Sequence, residues 1–248
     1  MKFMMRALVL VVLVVPGMVA QETAKGMLDA AAKKAASAKG HPADEVAAIL
    51  KEAAVLYEQV PVRFPAAKSD VARSRLEAGR IRRRLNEVPA AEAALKEAAA
   101  ASDEPRIATE ALHDLASIYR RAKRLPEAQQ ALERIVAEFP NEPRQRADAL
   151  SRLASLHRAA KRIDAAEAAL RQILAEHGDL FAAVTEALDD LVALKIQQGK
   201  ESEARTLLTS HGEALKARFS GSRYENRVQP VLDRIGARFK PADDDDDG

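Results

Sequence analysis

The sequence repeats itself with a period of roughly 38 residues, and this repetition limits the possible folds more than any other feature. Three segments align over their full length, at residues 112–140, 150–178 and 188–216, and a weaker match covers 76–103. Alanine recurs in the second half of each unit at spacings of 37, 38 and 38 residues, at Ala91, Ala128, Ala166 and Ala204. Because one such unit buries only part of its apolar surface alone, the pattern predicts units stacked side by side.

Each unit is predicted to be two helices joined by a tight turn. A small or short residue recurs in the first helix, and a leucine follows each alanine of the second helix by four residues. These positions are Gly79, Ala116, Ala154 and Val192, and Leu95, Leu132, Leu170 and Leu208. The small residues would let the two helices approach each other, and the leucines would fill the space between them.

Turn and cap signals separate the helices of a unit. The turns are predicted at Asn86, Lys123–Arg124, Lys161–Arg162 and Gly199–Lys200. Pro89 and Pro126 suit the first turn of a second helix, where a missing N–H does no harm, and Pro61 is expected to mark a helix end. Asp164 with Glu167 predicts a capping box, and Ser202 predicts a simple N-cap.

The composition favours helices and narrows the chemistry. Ala, Leu, Glu, Arg and Lys dominate the 248 residues, and they lose little conformational entropy in a helix. Cysteine is absent, which excludes disulfides, cysteine catalysis, cysteine-ligated metals and a lipid-modified N-terminal cysteine. The net charge of +2 gives no indication of a nucleic-acid partner. The predicted fold is therefore all-α, an α-solenoid of antiparallel helix hairpins with about five repeats and a capping helix.

Residues 1–20 are typical of a secretory signal peptide. Lys2 and Arg6 precede a short apolar run, Pro16 and Gly17 end it, and Ala20 suits the cleavage position. The alternative is an uncleaved membrane anchor, although the apolar run is short beside the roughly 20 residues that a bilayer requires. We expect export to the periplasm or the cell exterior, with no stable membrane insertion after cleavage.

The remaining chain divides into four predicted segments. Residues 21–65 form a degenerate N-terminal helical hairpin, residues 66–220 hold the repeats, and residues 221–240 form a C-terminal capping helix around Pro230. Residues 241–248 are too acidic to pack and are expected to be disordered.

The repeated pattern resembles the tetratricopeptide repeat family. Ala116, Ala128, Leu132 and Pro140 follow that family's order and spacing. A second unit repeats the pattern, with Gly178 in place of the final proline. The resemblance covers roughly residues 45–216, but the family period is about 34 residues, so each unit carries a short surplus. Longer units of this kind are similar to those of tetratricopeptide proteins in the bacterial cell envelope.

One position departs from the family pattern. The late aromatic residue of the first helix appears only as Tyr119, and its equivalents are Arg82, His157 and Lys195.

No catalytic or metal-binding motif stands out. His41, His113, His157, His177 and His211 are scattered, and none lies in a metal-ligand spacing such as HExxH. The sequence also lacks GxSxG, a Walker loop and GxGxxG. We therefore expect structural histidines, no cofactor and no enzymatic activity, and we interpret the acidic tail as solubilising rather than as a weak Ca²⁺ site.

A stripe of arginines on the first helices is the best candidate for a binding site. It contains Arg80, Arg83, Arg84, Arg120, Arg121, Arg124, Arg158 and Arg162. In tetratricopeptide repeats these positions line the concave groove that holds ligand peptides, so the resemblance implies a basic groove. Arginine binds carboxylates bidentately, which indicates an acidic protein or peptide as partner. The alternative is that these arginines are good helix formers paired with nearby carboxylates on a solvated face.

Three functions remain open at this point. The first is an exported protein-interaction scaffold of the cell envelope, and the second is a binder of an anionic glycan or lipid head group in an envelope assembly. An enzyme is the third, and nothing in the sequence favours it. A run of aspartates at 243–247 could also fold back on the arginine stripe and shield it, in which case deleting residues 241–248 would tighten binding of an acidic peptide.

Overall fold

A computed structural model describes residues 23–101 and 103–239, and it contains eleven helices and no strand within those ranges. The helices are α1 Ala24–Ser37, α2 Ala43–Arg63, α3 Lys68–Arg84, α4 Val88–Ala99, α5 Pro105–Arg121, α6 Leu125–Glu138, α7 Pro143–Ala159, α8 Ile163–Glu176, α9 Phe181–Gln197, α10 Glu201–Phe219 and α11 Glu225–Gly236. The predicted signal peptide and acidic tail lie outside the described residues. None of the eleven helices combines the length and apolar character needed to cross a membrane.

The first ten helices form five successive hairpins, which we number as units one to five. Each helix packs against the next one in the chain. The first helices of neighbouring units, α1, α3, α5, α7 and α9, also contact each other in sequence, whereas the described second helices make no such contacts. The first helices therefore line the inner, concave side of the stack. This arrangement confirms the predicted all-α solenoid.

The turns inside units two to five share one backbone geometry. A single residue has positive φ in each turn: Asn86 at 61°, Lys123 at 58°, Lys161 at 58° and Gly199 at 72°. The next residue donates its N–H to the carbonyl five positions earlier, as Arg124 does to Tyr119 at 2.8 Å. This is the Schellman bond that closes a helix C-terminus. The predicted turn positions are confirmed.

The core of each unit is built from the repeated small and leucine positions. Ala91, Ala128, Ala166 and Ala204 have no exposed surface, and Leu95, Leu132 and Leu170 are also buried. A Cβ atom added at Gly79 would lie 2.7 Å from Cγ of Leu95, so a glycine is what permits the close approach of α3 and α4. Leu208 is only partly buried, so the predicted packing of small residues against leucines is confirmed for units two to four.

Three local predictions about helix ends are wrong. Asp164 is the second residue of α8, its N-cap is Arg162 without a side-chain bond, and Ser202 lies inside α10. The Schellman turn is the reason, since it starts the second helix two residues after the positive-φ residue and leaves no room for a separate cap. Pro61 lies within α2, which continues to Arg63.

The stack ends in α11, which packs on α9 and α10. Its buried residues are Val228, Leu232 and Ile235, and Pro230 lies inside the helix. Beside it, the ring of Tyr224 stacks on the ring of Phe181 at a centroid distance of 4.7 Å.

Candidate functional site: the concave groove

Ion pairs between first helices cover part of the concave groove. Arg80 on α3 donates to Asp114 of α5 at 2.8 Å and to Glu110 at 2.9 Å, and Arg83 contacts the other oxygen of Asp114 at 3.1 Å. The Asp114 side chain is only 14 % exposed. These two arginines of unit two are therefore neutralised by carboxylates of unit three.

The same contact recurs two units further along. Arg158 on α7 lies 3.1 Å from Asp190 on α9. The neighbouring Asp189 contacts Arg234 and Arg238 at the C-terminal end of the stack. Two aspartates therefore lie in the groove of unit five, and arginines of the chain itself already neutralise them.

The contact is missing between units three and four. Asp114 and Asp190 each lie 38 residues from Arg152, which occupies the equivalent position on α7. Arg120 is the equivalent of Arg83 and Arg158, and it therefore faces an arginine instead of an aspartate. Arg152 donates to Asp148 of its own helix at 2.8 Å. The Arg120 side chain is exposed and has no ion pair or hydrogen bond within the described ranges.

A cavity of about 220 Å³ lies at this place, between α5 and α7. Its lining consists of Ala116, Ser117, Arg120, Leu132, Ser151, Arg152, Ser155 and Leu156. A second cavity of about 570 Å³ shares Ser151 and continues between α7 and α9 toward Phe181 and Tyr224. The groove therefore has a cationic, hydroxyl-lined pocket next to a larger pocket of mixed lining. The larger pocket combines the rings of Phe181 and Tyr224 with charged side chains of both signs, which are Arg144, Asp148, Asp179, Glu186 and Arg223.

Two of the predicted arginines lie at the turns and contact the preceding unit. Arg124 donates to Glu92 of α4 at 2.7 Å, and its guanidinium lies 4.4 Å from the ring centroid of Tyr119. Arg162 donates to Gln129 of α6 at 2.8 Å. Both hold first-helix ends against a second helix, so they do not form one strip with the groove arginines.

Three of the four late positions of the first helix serve the same contact, whereas His157 makes no side-chain hydrogen bond or ion pair in the described structure. Tyr119 donates its hydroxyl to Glu92 at 3.1 Å. The buried Lys195 lies 2.9 Å from Glu167 of the preceding unit. At the equivalent position in unit two, Arg82 contacts Glu58 at 2.7 Å. A polar side chain that reaches the preceding second helix is what these residues share.

The eight predicted arginines thus fall into three groups. The first group binds carboxylates of the next unit and consists of Arg80, Arg83 and Arg158. The second group binds the preceding second helix and consists of Arg124 and Arg162. The third group is exposed without an ion pair in the described part of the chain and consists of Arg84, Arg120 and Arg121. The peptide-binding role of the stripe stays a prediction. The acidic partners Asp114, Asp190 and Glu92 were missed, although Asp190 lies two repeats after Asp114.

The pKa of Glu92 is strongly perturbed. Hydrogen bonds from Arg124, then from Lys96 and Tyr119, outweigh burial and lower the pKa of Glu92 to about 2. The carboxylate is therefore ionised throughout the physiological range, and it holds α4 against the end of α5.

The histidines have separate surroundings. His113 contacts Asp148 and the carbonyl of Gln145, both at 3.3 Å, while His177 is buried without a side-chain hydrogen-bond partner in the described structure. Burial lowers the pKa of both rings. Within residues 23–101 and 103–239, no group of three His, Asp or Glu residues is suited to hold a metal ion.

Comparisons with known proteins agree on the architecture. Residues 110–142 and 148–179, which lie in units three and four, match the family model described as Tetratricopeptide repeat. Units three and four are therefore similar to tetratricopeptide repeats, which in general bind proteins or peptides. No match to a curated protein sequence was found.

Two solved structures are similar to the chain. One is a Podosopora anserina protein described as having kinesin light chain nearly identical TPR-like repeats, with 20 % identity, a TM-score of 0.51, and coverage of 80 % of this chain and 96 % of that one. The other is BtubC (BKLC) from P. vanneervenii, with 15 % identity, a TM-score of 0.49, and coverage of 89 % and 95 %. At 20 % identity, the first similarity shows the fold alone.

Proposed function

We propose that this protein is an exported interaction scaffold that binds an extended segment of a partner protein in its concave groove. The observation that carries the proposal is the pair of adjoining cavities between α5, α7 and α9, which share Ser151 and lie on the side lined by the first helices. Exposed arginines border this stretch, whereas the arginines on either side are neutralised by carboxylates. The partner segment is therefore acidic in part.

Site-specific photo-crosslinking in the native cell envelope tests this function. A photoreactive side chain placed at Ser155, which lines the groove on α7, should capture a partner protein. The matched control is the exposed Ala168 on α8 of the same unit, which should capture none. Capture from both positions would contradict a groove site, and capture from neither would contradict the scaffold itself.

Charge reversal gives a second readout on the same partner. Arg84 and Arg121 are exposed and occupy equivalent positions in units two and three. Arg84→Glu with Arg121→Glu should reduce crosslinking from Ser155. Lys39→Glu with Lys51→Glu, which changes two exposed charges of unit one, should leave it unchanged. An anionic glycan or lipid head group would instead leave no crosslinked protein and would hold the protein on anionic polysaccharide until modest salt is added.

Export to the cell envelope is the other part of the proposal. The support is the charged, apolar and small-residue order of residues 1–20. Fractionation with mass measurement of the recovered protein tests it, and a mass corresponding to a start near Gln21 in the periplasm or medium is expected. An intact chain in the membrane fraction would identify the segment as an anchor.

A further inference from the structure

We propose that the cavity between α5 and α7 is a carboxylate site, in which Arg120 and Arg152 together bind one acidic side chain of a partner peptide. The inference rests on the proposed groove-binding function and names the chemistry of one subsite within it. It follows from three properties of the cavity: the interrupted ion-pair series, the polar lining and the net charge.

The interrupted series shows that Arg120 is available. Arg83 and Arg158, its equivalents in the neighbouring units, lie 3.1 Å from Asp114 and Asp190. Between units three and four, Arg152 stands where the neighbouring units have an aspartate. The cavity therefore contains two cationic side chains, Arg120 and Arg152. A free carboxylate at this place would restore the contact that the other units make within the chain.

The lining of the cavity suits a carboxylate with a short aliphatic stem. Ser151 and Ser155 contribute hydroxyl groups that have no hydrogen bond to another side chain or backbone group within the described ranges. The floor is apolar and is formed by Ala116, Leu132 and Leu156. Hydroxyl and guanidinium donors would bind the two carboxylate oxygens, and the floor would contact the methylene groups.

The charge of the cavity matches a single negative charge. Arg120 and Arg152 contribute two positive charges, and Asp148 offsets one of them through its 2.8 Å contact with Arg152. His113 also contacts Asp148, at 3.3 Å, and burial lowers the pKa of its ring, so it adds little charge near neutral pH. One net positive charge balances a carboxylate, whereas a phosphate dianion would leave one negative charge uncompensated.

The neighbouring cavity indicates that the carboxylate belongs to an extended peptide. The two cavities share Ser151, and the larger one continues past Ile173 to Phe181 and Tyr224, with Asp179 and Glu186 also on its walls. A peptide whose acidic side chain binds Arg120 can therefore continue along the groove into this larger cavity, where Phe181 and Tyr224 would contact apolar side chains of the peptide. A free small anion bound to Arg120 would not extend into the larger cavity.

A fluorescence anisotropy titration tests the site directly. The probe is a fluorescent, amidated hexapeptide of alternating aspartate and glutamate, and its neutral control has asparagine and glutamine instead. It is titrated at low salt with the chain from Gln21 to Gly248, and with the same chain lacking residues 241–248 in case the acidic tail competes. We expect binding of the acidic peptide only, and Arg120→Gln should weaken it by about tenfold.

Two further variants separate this site from general attraction by a basic surface. Arg152→Asp gives unit four the aspartate of its neighbours, so Arg120 gains a partner and peptide binding should fall at least about tenfold while the helical content is kept. If that variant does not fold, Arg152→Gln takes its place. Arg83→Gln removes the equivalent but already paired arginine, and Asp114 keeps Arg80, so affinity should change by less than about twofold.

The outcomes separate the site from the function. Equal weakening by Arg83→Gln and Arg120→Gln, or no binding to either form of the chain, would overturn the carboxylate site. Tighter binding of a phosphoserine peptide than of the acidic peptide would overturn the choice of ligand. Crosslinking of a partner from Ser155 would still support the scaffold in each of these cases, and its absence would contradict the scaffold alone.

Discussion

The junction between units two and three and the junction between units three and four use equivalent helices, yet their charged contacts differ on both sides. At the first junction, Arg83 contacts Asp114 in the groove, and Arg124 contacts Glu92 at the turn. At the second junction, Arg120 has no acidic partner in the described structure, and Arg162 contacts the neutral Gln129. We call these the closed junction and the open junction.

The difference shows how a repeat scaffold separates structure from binding. The junction between units four and five is closed again, by Arg158 with Asp190 and by Lys195 with Glu167. The backbone therefore places equivalent residues at each of these junctions. The residue type opposite the groove arginine determines whether that arginine forms an ion pair within the chain. Of these three junctions, only the central one has a groove arginine without an ion pair in the described structure.

The largest expected effect is the loss of stability when a buried leucine, which both junctions have, is truncated. Leu95 beneath the closed junction and Leu132 beneath the open one are both buried, at 0 % and 2 % exposure. Replacing either with alanine removes buried methyl groups and leaves a cavity, so each should lower the free energy of unfolding by about 2 to 4 kcal/mol. Urea unfolding followed by circular dichroism measures both. A much smaller loss for Leu132→Ala would mean that the open junction is also loosely packed.

Opening the closed junction is the next test. Asp114→Ala removes the carboxylate that accepts from Arg80 and Arg83, and its side chain is only 14 % exposed. We expect a loss of about 2 kcal/mol, because two guanidinium groups lose a well-ordered acceptor. The same variant should bind the acidic hexapeptide more tightly than the unmodified chain, since it leaves Arg83 as well as its equivalent Arg120 without an ion pair.

The control for this prediction is Asp148→Ala at the open junction. Asp148 is 49 % exposed, so water screens its contact with Arg152 and the loss should stay below about 1 kcal/mol. Equal losses for the two variants would remove the energetic distinction between the junctions.

Much of the fold could be predicted from sequence, because it depends on residues that recur. Gly79 and its equivalents identified the close helix contacts, and Asn86 and Gly199 identified the turns, because each acts within one hairpin. The state of the groove could not be predicted in this way. Whether Arg120 is free depends on Arg152, which lies in another unit, and no pattern within one hairpin reveals that pairing. Export and the partner stay predictions.

Acid should weaken the closed junction more than the open one. The folded pKa of Glu92 is lowered from 4.5 to about 2, so its contribution to stability is complete above pH 4.5 and is lost as the pH falls toward 2. Arg124 is 40 % exposed, and water screens the pair, so we expect this contribution to be about 1 kcal/mol. The neutral Gln129 gives the open junction no such dependence.

The measurement compares the unmodified chain with Glu92→Gln by urea unfolding. The unmodified chain should be the more stable of the two near neutral pH, and the difference should shrink as the pH falls below 4.5. The comparison cancels the other carboxylates, which titrate equally in both proteins. A difference that is independent of pH would show that Glu92 acts through packing rather than through its charge.

The smallest expected effect comes from closing the turn side of the open junction. Gln129→Glu places a carboxylate 2.8 Å from Arg162, in the arrangement that Glu92 and Arg124 have at the closed junction. Arg162 is exposed, so the new ion pair should add less than about 1 kcal/mol to the free energy of unfolding, and salt should reduce the gain. Peptide affinity should be unchanged, because Arg120 and its cavity are not altered. A loss of peptide binding would instead show that the open junction must move to admit its ligand, and that the missing charges at the turn serve this movement.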